Sequence, residues 1–291
     1  MHFAIRYLTK YTYDAPVSDN LNALRVRPAT TASQRCDEFH TRIDPEARVS
    51  RYLDYFGTEV LEFGIPANHE KLEIDVRARV VTADPTEPPS GSWARLSTSS
   101  YLDAAGEFIL PWQDQPAVEG LAAMEAELGS SSPLEAVLLL CEMIPDRFEY
   151  RPGVTYVGSD VAHLLQVGAG VCQDFVHLAV ILLRRAGIAA RYVSGYLWAA
   201  SQDGGAESVE VDTHAWLEAL LPDSNGHGEP VWVGADPTNR RLAGATHVKI
   251  GHGRHYFDVP PVKGLYMGGA TSTLDATVTM SRLDAQAGAR A

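Results

Sequence analysis

Three residues of the chain, Cys172, His214 and Asp236, have the types and order that nucleophilic acyl chemistry requires. Cys172 follows the turn Gly168-Ala169-Gly170-Val171 and opens a run in which Phe175, Leu178, Ala179, Leu182 and Leu183 recur at helical spacing until Gly187 closes it. The thiol is thereby placed in the first turn of a mostly buried helix, where unpaired N–H groups and the helix dipole favour an anion. Thiolate is the form of cysteine that attacks a carbonyl carbon, and the Cys172 backbone N–H is a candidate donor to the resulting oxyanion. The other two cysteines read differently. Cys141 follows Leu138, Leu139 and Leu140 in a helix and reads as core, while Cys36, between Arg35 and Asp37, reads as surface loop.

His214 and Asp236 lie on two segments that read as an antiparallel pair, 214–221 and 230–236, joined by the turn-rich Pro222-Asp223-Ser224-Asn225-Gly226-His227-Gly228. A hairpin centred on Asn225 sets His214 opposite Asp236. In that register Ala215, Leu217, Ala219 and Leu221 share a face with Val231, Val233 and Ala235, and His214 and Asp236 share the other with Trp216 and Trp232. Directly opposed residues have Cβ atoms about 4.5–5.5 Å apart, close enough for an aspartate to fix the tautomer of an imidazole. Taken alone, His214 reads as a sheet histidine and Asp236 as a turn former before Pro237. With Cys172 they form a candidate catalytic triad of nucleophile, base and orienting carboxylate.

The elements that must position these residues divide the chain. Leu72, Ile74, Val76, Ala78 and Val80 alternate with Glu73, Asp75, Arg77 and Arg79, a strand with one apolar face. Phe3, Ile5 and Tyr7 alternate likewise, and the run from Tyr52 to Phe63 breaks at Gly57 as a hairpin does. Residues 1–85 therefore read as a β-rich N-terminal domain. The stretch ADPTEPPSGS at 83–92 reads as a loop, and 86–130 as linker and connecting segment. Residues 131–291 form the expected catalytic core with a C-terminal extension and a frayed tail over the last ten residues. Within it, Ser132-Pro133-Leu134-Glu135 starts a helix that Pro145 ends, and a short helix runs from an N-cap at Ser159 to Gly168.

Composition narrows the function classes. A chain of 291 residues with 24 basic and 37 acidic side chains carries a net charge of −13, a field that repels phosphate backbones and anionic membrane surfaces. No nucleic acid and no membrane are expected as partners. The N-terminus lacks a signal-peptide layout and no stretch reaches the roughly 20 apolar residues of a membrane helix, so a cytoplasmic location is expected. The three cysteines form no CxxC pair, and no GxSxG, P-loop or GxGxxG pattern occurs. No cofactor or metal is expected; His247, His252 and His255 have spacing that fits no common metal site, with glycines between them that suggest a flexible loop.

Gly170-Val171-Cys172-Gln173-Asp174-Phe175, Thr213-His214-Ala215-Trp216 and Gly234-Ala235-Asp236-Pro237-Thr238-Asn239 together resemble the bacterial transglutaminase-like family. The N-terminal region with Arg25-Val26-Arg27-Pro28, and Gly253-Arg254-His255-Tyr256-Phe257-Asp258-Val259-Pro260-Pro261 near the end, are similar to segments flanking the core in that family. The resemblance implies an α+β fold in which a β-rich domain precedes a papain-like core, the cysteine helix packed on an antiparallel sheet. It also implies chemistry on amide or peptide bonds through a thioester, on a peptide or protein substrate. Two positions depart from the family pattern, Thr58 after Gly57 in place of asparagine and His255 in place of aspartate. Hydrolysis by a peptidase or amidase is the leading expectation. Acyl transfer of transglutaminase type, or a non-catalytic binding module with the same fold, are the alternatives. Gln166 and Tyr156 are the candidates for a second oxyanion donor, though a structural role is the favoured reading of each; Asp174 and His177, three apart on the Cys172 helix, are read first as a plain helix-face hydrogen bond and second as a pair behind Cys172.

Overall fold

The computed structural model describes residues 1–111, 120–129, 132–156, 158–199, 208–211, 213–223 and 228–283. Its N-terminal part is built on one long strand, β1 (His2–Leu24), whose alternating residues Phe3, Ile5 and Tyr7 are buried. The first half of β1 pairs antiparallel with β5 (His69–Thr82), which in turn pairs with β2 (Gln34–Asp44). Its register with β5 shifts between Thr12 and Val17, and the second half pairs instead with β4 (Glu59–Ile65), the partner of β3 (Ser50–Leu53). A strand that changes partners midway curls its sheet, because it must satisfy two ladders running in different directions. The alternation read in β5 holds: Leu72, Ile74, Val76, Ala78 and Val80 all point into the core. The β3–β4 hairpin turns at Gly57, whose φ of 78° suits glycine, and the Asp54 carboxylate accepts from the amides of Phe56 and Thr58.

The second part comprises α1 (Ser99–Ala105), α2 (Leu121–Glu127), α3 (Pro133–Arg147), β6 (Glu149–Tyr150), α4 (Val161–Val167), β7 (Ala169–Gly170) and α5 (Cys172–Arg185). Then follow β8 (Ala190–Leu197), β9 (Ser208–Val211), β10 (Thr213–Leu221), β11 (Val231–Asp236), β12 (Arg241–Leu242), β13 (His247–Gly253), β14 (Val262–Met267) and β15 (Ser272–Arg282). Strands β12, β11, β10, β8 and β13 form an antiparallel sheet in that order. Ala190, Leu217, Ala219, Val233 and Ala235 of this sheet pack with the buried face of α5, including Phe175, Leu178 and Leu182. Tyr196, Trp198, Val248 and Ile250 pack instead with Phe3, Tyr7 and the rest of the N-terminal core. The fold is thus α+β, with the sheet that carries the candidate residues held between a helical layer and a curled β layer.

Several expectations about boundaries need correction. Residues 86–130 are more than a linker: Tyr101, Ala105, Leu121, Met124 and Leu128 are buried in the helical core, and the Tyr101 hydroxyl donates to the Leu220 carbonyl at 3.0 Å. Helices of two turns are too short to show a periodicity in sequence. Residues 262–282, grouped by sequence with the catalytic core, return to the first sheet, where β14 and β15 both pair with β1. Their apolar alternation is compatible with any available edge, and only the β1 register assigns them. Residues 284–291 of the expected tail lie outside the described residues; Arg282 ends β15.

Helix starts and stops follow the capping chemistry. The Ser132 hydroxyl accepts from the Glu135 amide at 3.2 Å at the start of α3, with Pro133 at the first helical position. Pro145 does not end that helix, which runs on to Arg147; so close to the C-terminus proline removes one hydrogen bond without unseating the last turn. The N-cap of α4 is Asp160, not Ser159, and its carboxylate accepts from the His163 amide at 2.8 Å. Ser159 serves the preceding turn, accepting from the Tyr156 amide. Gly168 and Gly187 close α4 and the α5 turn with φ of 71° and 85°.

Candidate active site

The sequence around Cys172 folds so as to open the N-terminus of α5 toward the neighbouring sheet. Cys172 is the first residue of this 14-residue helix and remains partly exposed. Asp174, three residues after the N-cap Val171, turns its carboxylate back to accept from the Val171 amide at 2.8 Å and from the Thr155 hydroxyl at 2.7 Å. This turn needs glycine at position 170: a Cβ there would lie 2.8 Å from the Asp174 Oδ2 and 2.9 Å from Leu164. Asp174 and His177, a candidate pair by their spacing, each have other partners. Asp174 is engaged at the cap, and His177 Nε2 accepts from the Tyr256 amide at 3.2 Å.

β10 and β11 pair with Leu217 opposite Ala235 and Ala219 opposite Val233, so partner numbers sum to 452 rather than 450. The expected direct opposition of His214 and Asp236 is therefore corrected to a diagonal one. A slip of two leaves every side chain on its original face, so the alternation that defined the faces could not detect it. The turn that would have fixed the register includes residues 224–227, which lie outside the described residues. The side chains still meet: His214 Nε2 lies 2.9 Å from Asp236 Oδ2.

Asp236 is completely buried and each carboxylate oxygen has its own task. Oδ1 accepts from the amides of Thr238 and Asn239 at 3.0 and 3.2 Å, the Asx turn expected of an Asp-Pro step. Oδ2 faces His214 at 2.9 Å, His247 Nε2 at 3.1 Å and the Asn239 side-chain amide at 2.7 Å. Burial disfavours the Asp236 charge, but the hydrogen bonds from His214, His247 and Asn239 outweigh it and hold the carboxyl well below its usual range. Burial likewise opposes the charge on His214, yet its hydrogen bond with Asp236 and the influence of Asp236 and Cys172 nearby lift its pKa to about 9. Both Asp236 and Cys172 thus act on His214. The rings of Trp216 and His247 pack edge to face at 5.2 Å beside it, and Trp216 leaves no room for a side chain at Gly195, where a Cβ would come within 2.5 Å of the indole.

His247 and Asn239 are the members of this site that residue types and spacing did not single out. His247 begins β13 rather than lying in a flexible loop, and it is separated from the other two histidines once grouped with it. His252 contacts Arg191 at 3.0 Å, and His255 accepts from the Phe257 amide at 2.9 Å. The Val248–Ile250 alternation beside His247 was the available strand signal. His247 Nδ1 accepts from the Gly244 amide at 3.2 Å, which leaves Nε2 to carry the proton donated to Asp236. Burial lowers the His247 pKa against the pull of Asp236, in keeping with a neutral ring.

His214, Asp236 and His247 have ligand-type atoms within 4.8 Å of one another. Their contacts of 2.9 and 3.1 Å are those of direct hydrogen bonds, whereas a zinc ion would sit about 2.0–2.2 Å from each ligand and between them. The hydrogen-bonded reading accounts for all three. Cys141 is buried, with its thiol pushed up to about 12 by burial and the nearby Asp236 charge. Cys36 lies in β2, partly buried, rather than in a surface loop. Of the candidate second oxyanion donors, Gln166 lies on the exposed side of α4 and Tyr156 is 73% exposed.

Comparison with known proteins covers both parts of the chain. Residues 3–81 match the bacterial transglutaminase-like N-terminal region, and residues 122–237 match the transglutaminase-like superfamily. An uncharacterized protein of Mycobacterium leprae is 33% identical over 94% of this chain and 96% of its own length. One of Mycobacterium tuberculosis is 31% identical over 95% of this chain and 91% of its own. A protein-glutamine gamma-glutamyltransferase of Pseudomonas aeruginosa is 26% identical over 50% of this chain but only 22% of that protein. Among solved structures, a candidate cysteine protease of Cytophaga hutchinsonii superposes with a TM-score of 0.71 at 21% identity, covering 98% of this chain and 92% of that one.

Proposed function

Because the chain belongs to the transglutaminase-like superfamily, with the bacterial transglutaminase-like N-terminal region before the core, we propose that it is a cysteine enzyme that hydrolyses amide or peptide bonds. The observation that carries this reading is the hydrogen bond of His214 to the buried Asp236 at 2.9 Å, with Cys172 among the groups that raise the His214 pKa. In the proposed reaction His214 takes the Cys172 proton and the thiolate attacks the substrate carbonyl carbon. The oxyanion is met by the Cys172 backbone N–H at the open end of α5. Collapse breaks the C–N bond, His214 gives its proton to the departing amine, and the acyl group stays on sulfur as a thioester. Water, deprotonated by His214, then attacks the thioester and releases a carboxylic acid and the free thiol. Asp236 keeps the imidazole in one tautomer and offsets its charge throughout.

Acyl transfer is the second reading, supported by the likeness of half the chain to a protein-glutamine gamma-glutamyltransferase. It differs only in the last step, where a primary amine takes the place of water. Incubation with an unselected tryptic peptide library and a fluorescent primary amine separates the two. The proposal expects new peptide ends, or side-chain amides converted to carboxylates, that disappear in Cys172→Ser. Amine incorporation without new ends would assign acyl transfer, and neither product would favour a non-catalytic binding module.

A further inference from the structure

The outer face of the first sheet carries an open depression of about 510 Å3. Phe3, Val76, Val80 and Met280 turn inward from its strands to the core shared with Tyr196 and Val248 of the catalytic sheet, so the residues between them in sequence face away from that sheet. Strand pairing orders these outward residues into rows. One row runs from His40 of β2 through Arg77 of β5 and Arg6 of β1 to Thr279 of β15. The next runs from Glu38 through Arg79 and Ala4 to Ser281. Both rows line the depression. Ala4 makes it hollow, because a single methyl group stands where the positions around it carry arginines on one side and hydroxyls on the other.

Arg6 and Arg77 are directly opposed, a pairing that like charges disfavour. The nearly buried Asp75 holds both, accepting from two nitrogens of Arg6 at 2.9 Å each and from Arg77 at 3.1 Å. Arg79 reaches Glu38 at 3.4 Å. Two carboxylates thus answer three guanidinium groups, while Arg42 and Glu210, the next residues across from Asp75 and Thr279, add one charge of each sign. The depression keeps a positive excess in a chain whose net charge is −13. Charges farther off are screened beyond about 8 Å at physiological salt, so the local excess decides what binds. Each guanidinium offers N–H groups in a planar fork and spends no more than two of its nitrogens on these contacts, which leaves donors for a ligand.

Arginine forks facing hydroxyls across a hollow match the oxygens of a tetrahedral anion, which point to both sides, better than the two in-plane oxygens of a carboxylate. We propose that this face is a second binding site of the protein, which takes a phosphoryl group, as free phosphate or as a phosphomonoester, over Ala4 and between Arg6, Arg77, Arg79 and the Thr279 and Ser281 hydroxyls. The site is separate from Cys172 and stands whether or not the enzymatic reading holds.

The test is isothermal titration calorimetry of the full chain in about 0.15 M sodium chloride with inorganic phosphate, O-phosphoserine and acetate as probes. The proposal expects a phosphoryl probe to saturate with a dissociation constant below about 1 mM, and acetate to bind about tenfold or more weaker. O-phosphoserine binding at least as tightly as phosphate would assign the ester as the source, and binding of phosphate alone the free ion. Ala4→Leu fills the hollow without changing any charge, and Leu8, two residues along the same face of β1, shows that the strand accepts a leucine there. Arg77→Gln removes a donor while Asp75 keeps its contacts with Arg6. Each variant, with its far-ultraviolet circular dichroism as in wild type, is expected to weaken phosphoryl binding about tenfold or more. No saturation by about 10 mM of either phosphoryl probe, acetate binding as tightly as phosphate, or affinity within about twofold of wild type in either folded variant would overturn the proposal.

Discussion

His247 donates its Nε2–H to Asp236 Oδ2, the oxygen that also faces His214, at 3.1 Å against 2.9 Å. One carboxylate oxygen therefore orients two imidazoles, one held neutral by burial and the other raised to about 9. Removing His247 leaves a buried carboxylate short of a donor and opens a void beside Trp216. His247→Ala is expected to destabilise the fold by about 1–3 kcal/mol in denaturant unfolding, and His247→Gln, which can keep an N–H toward Asp236, by less. Equal losses in the two variants would mean that the hydrogen bond is not what His247 contributes.

The raised His214 pKa makes a prediction about stability and pH. A group that binds its proton more tightly in the folded state contributes stability that is complete below its unfolded value, near 6.5, and is lost as the pH rises through about 9. Unfolding free energies of wild type and His214→Ala, measured from pH 6 to pH 10, are expected to converge across that window by an amount on the order of a few kcal/mol. Parallel curves would show that His214 is not charged in the folded protein. Asp236 has the opposite sign: its contribution is present above the ordinary carboxylate range and is lost as the pH falls below it.

The division of labour in Asp236 predicts how Asp236→Asn behaves. Asparagine can keep Oδ1 as acceptor for the Thr238 and Asn239 amides, so the turn survives. Its N–H2 group then faces three donors where Oδ2 accepted. Activity on peptides is expected to fall by about 10²–10⁴, with circular dichroism unchanged. Wild-type activity in a folded variant would reduce Asp236 to its turn.

Gly170→Ala tests the cap that presents the nucleophile. The added methyl would press on the Asp174 carboxylate and Leu164 within 3 Å, so the cap must open. A loss of about 1–3 kcal/mol is expected, together with slower alkylation of Cys172. A stability loss with Cys172 reactivity untouched would separate the cap from the chemistry.

Much of this arrangement was legible in the sequence, and what escaped it did so for identifiable reasons. Gly168, Gly187 and the apolar spacing between them defined α5 because capping and periodicity are local properties. The β10–β11 register was misread by two because alternation is blind to an even slip. His247 lies eleven residues beyond Asp236 among glycines, and its partner is reached only because β13 pairs with β8 across the sheet. The same holds for β15, whose place beside β1 joins the two ends of the chain. Contacts that depend on long-range strand pairing leave no local signal.

The central claim, that His214 activates Cys172, is tested most directly by the pH dependence of iodoacetamide alkylation, with Cys36 in the same chain as the reference thiol. Burial raises the Cys36 pKa against the pull of the neighbouring Arg27, so Cys36 reports a thiol that has no imidazole partner of the His214 kind. The account predicts that at pH 7 Cys172 reacts about tenfold or more faster than Cys36 and that His214→Ala removes most of that advantage. Equal rates at the two thiols, unchanged by His214→Ala, would contradict it.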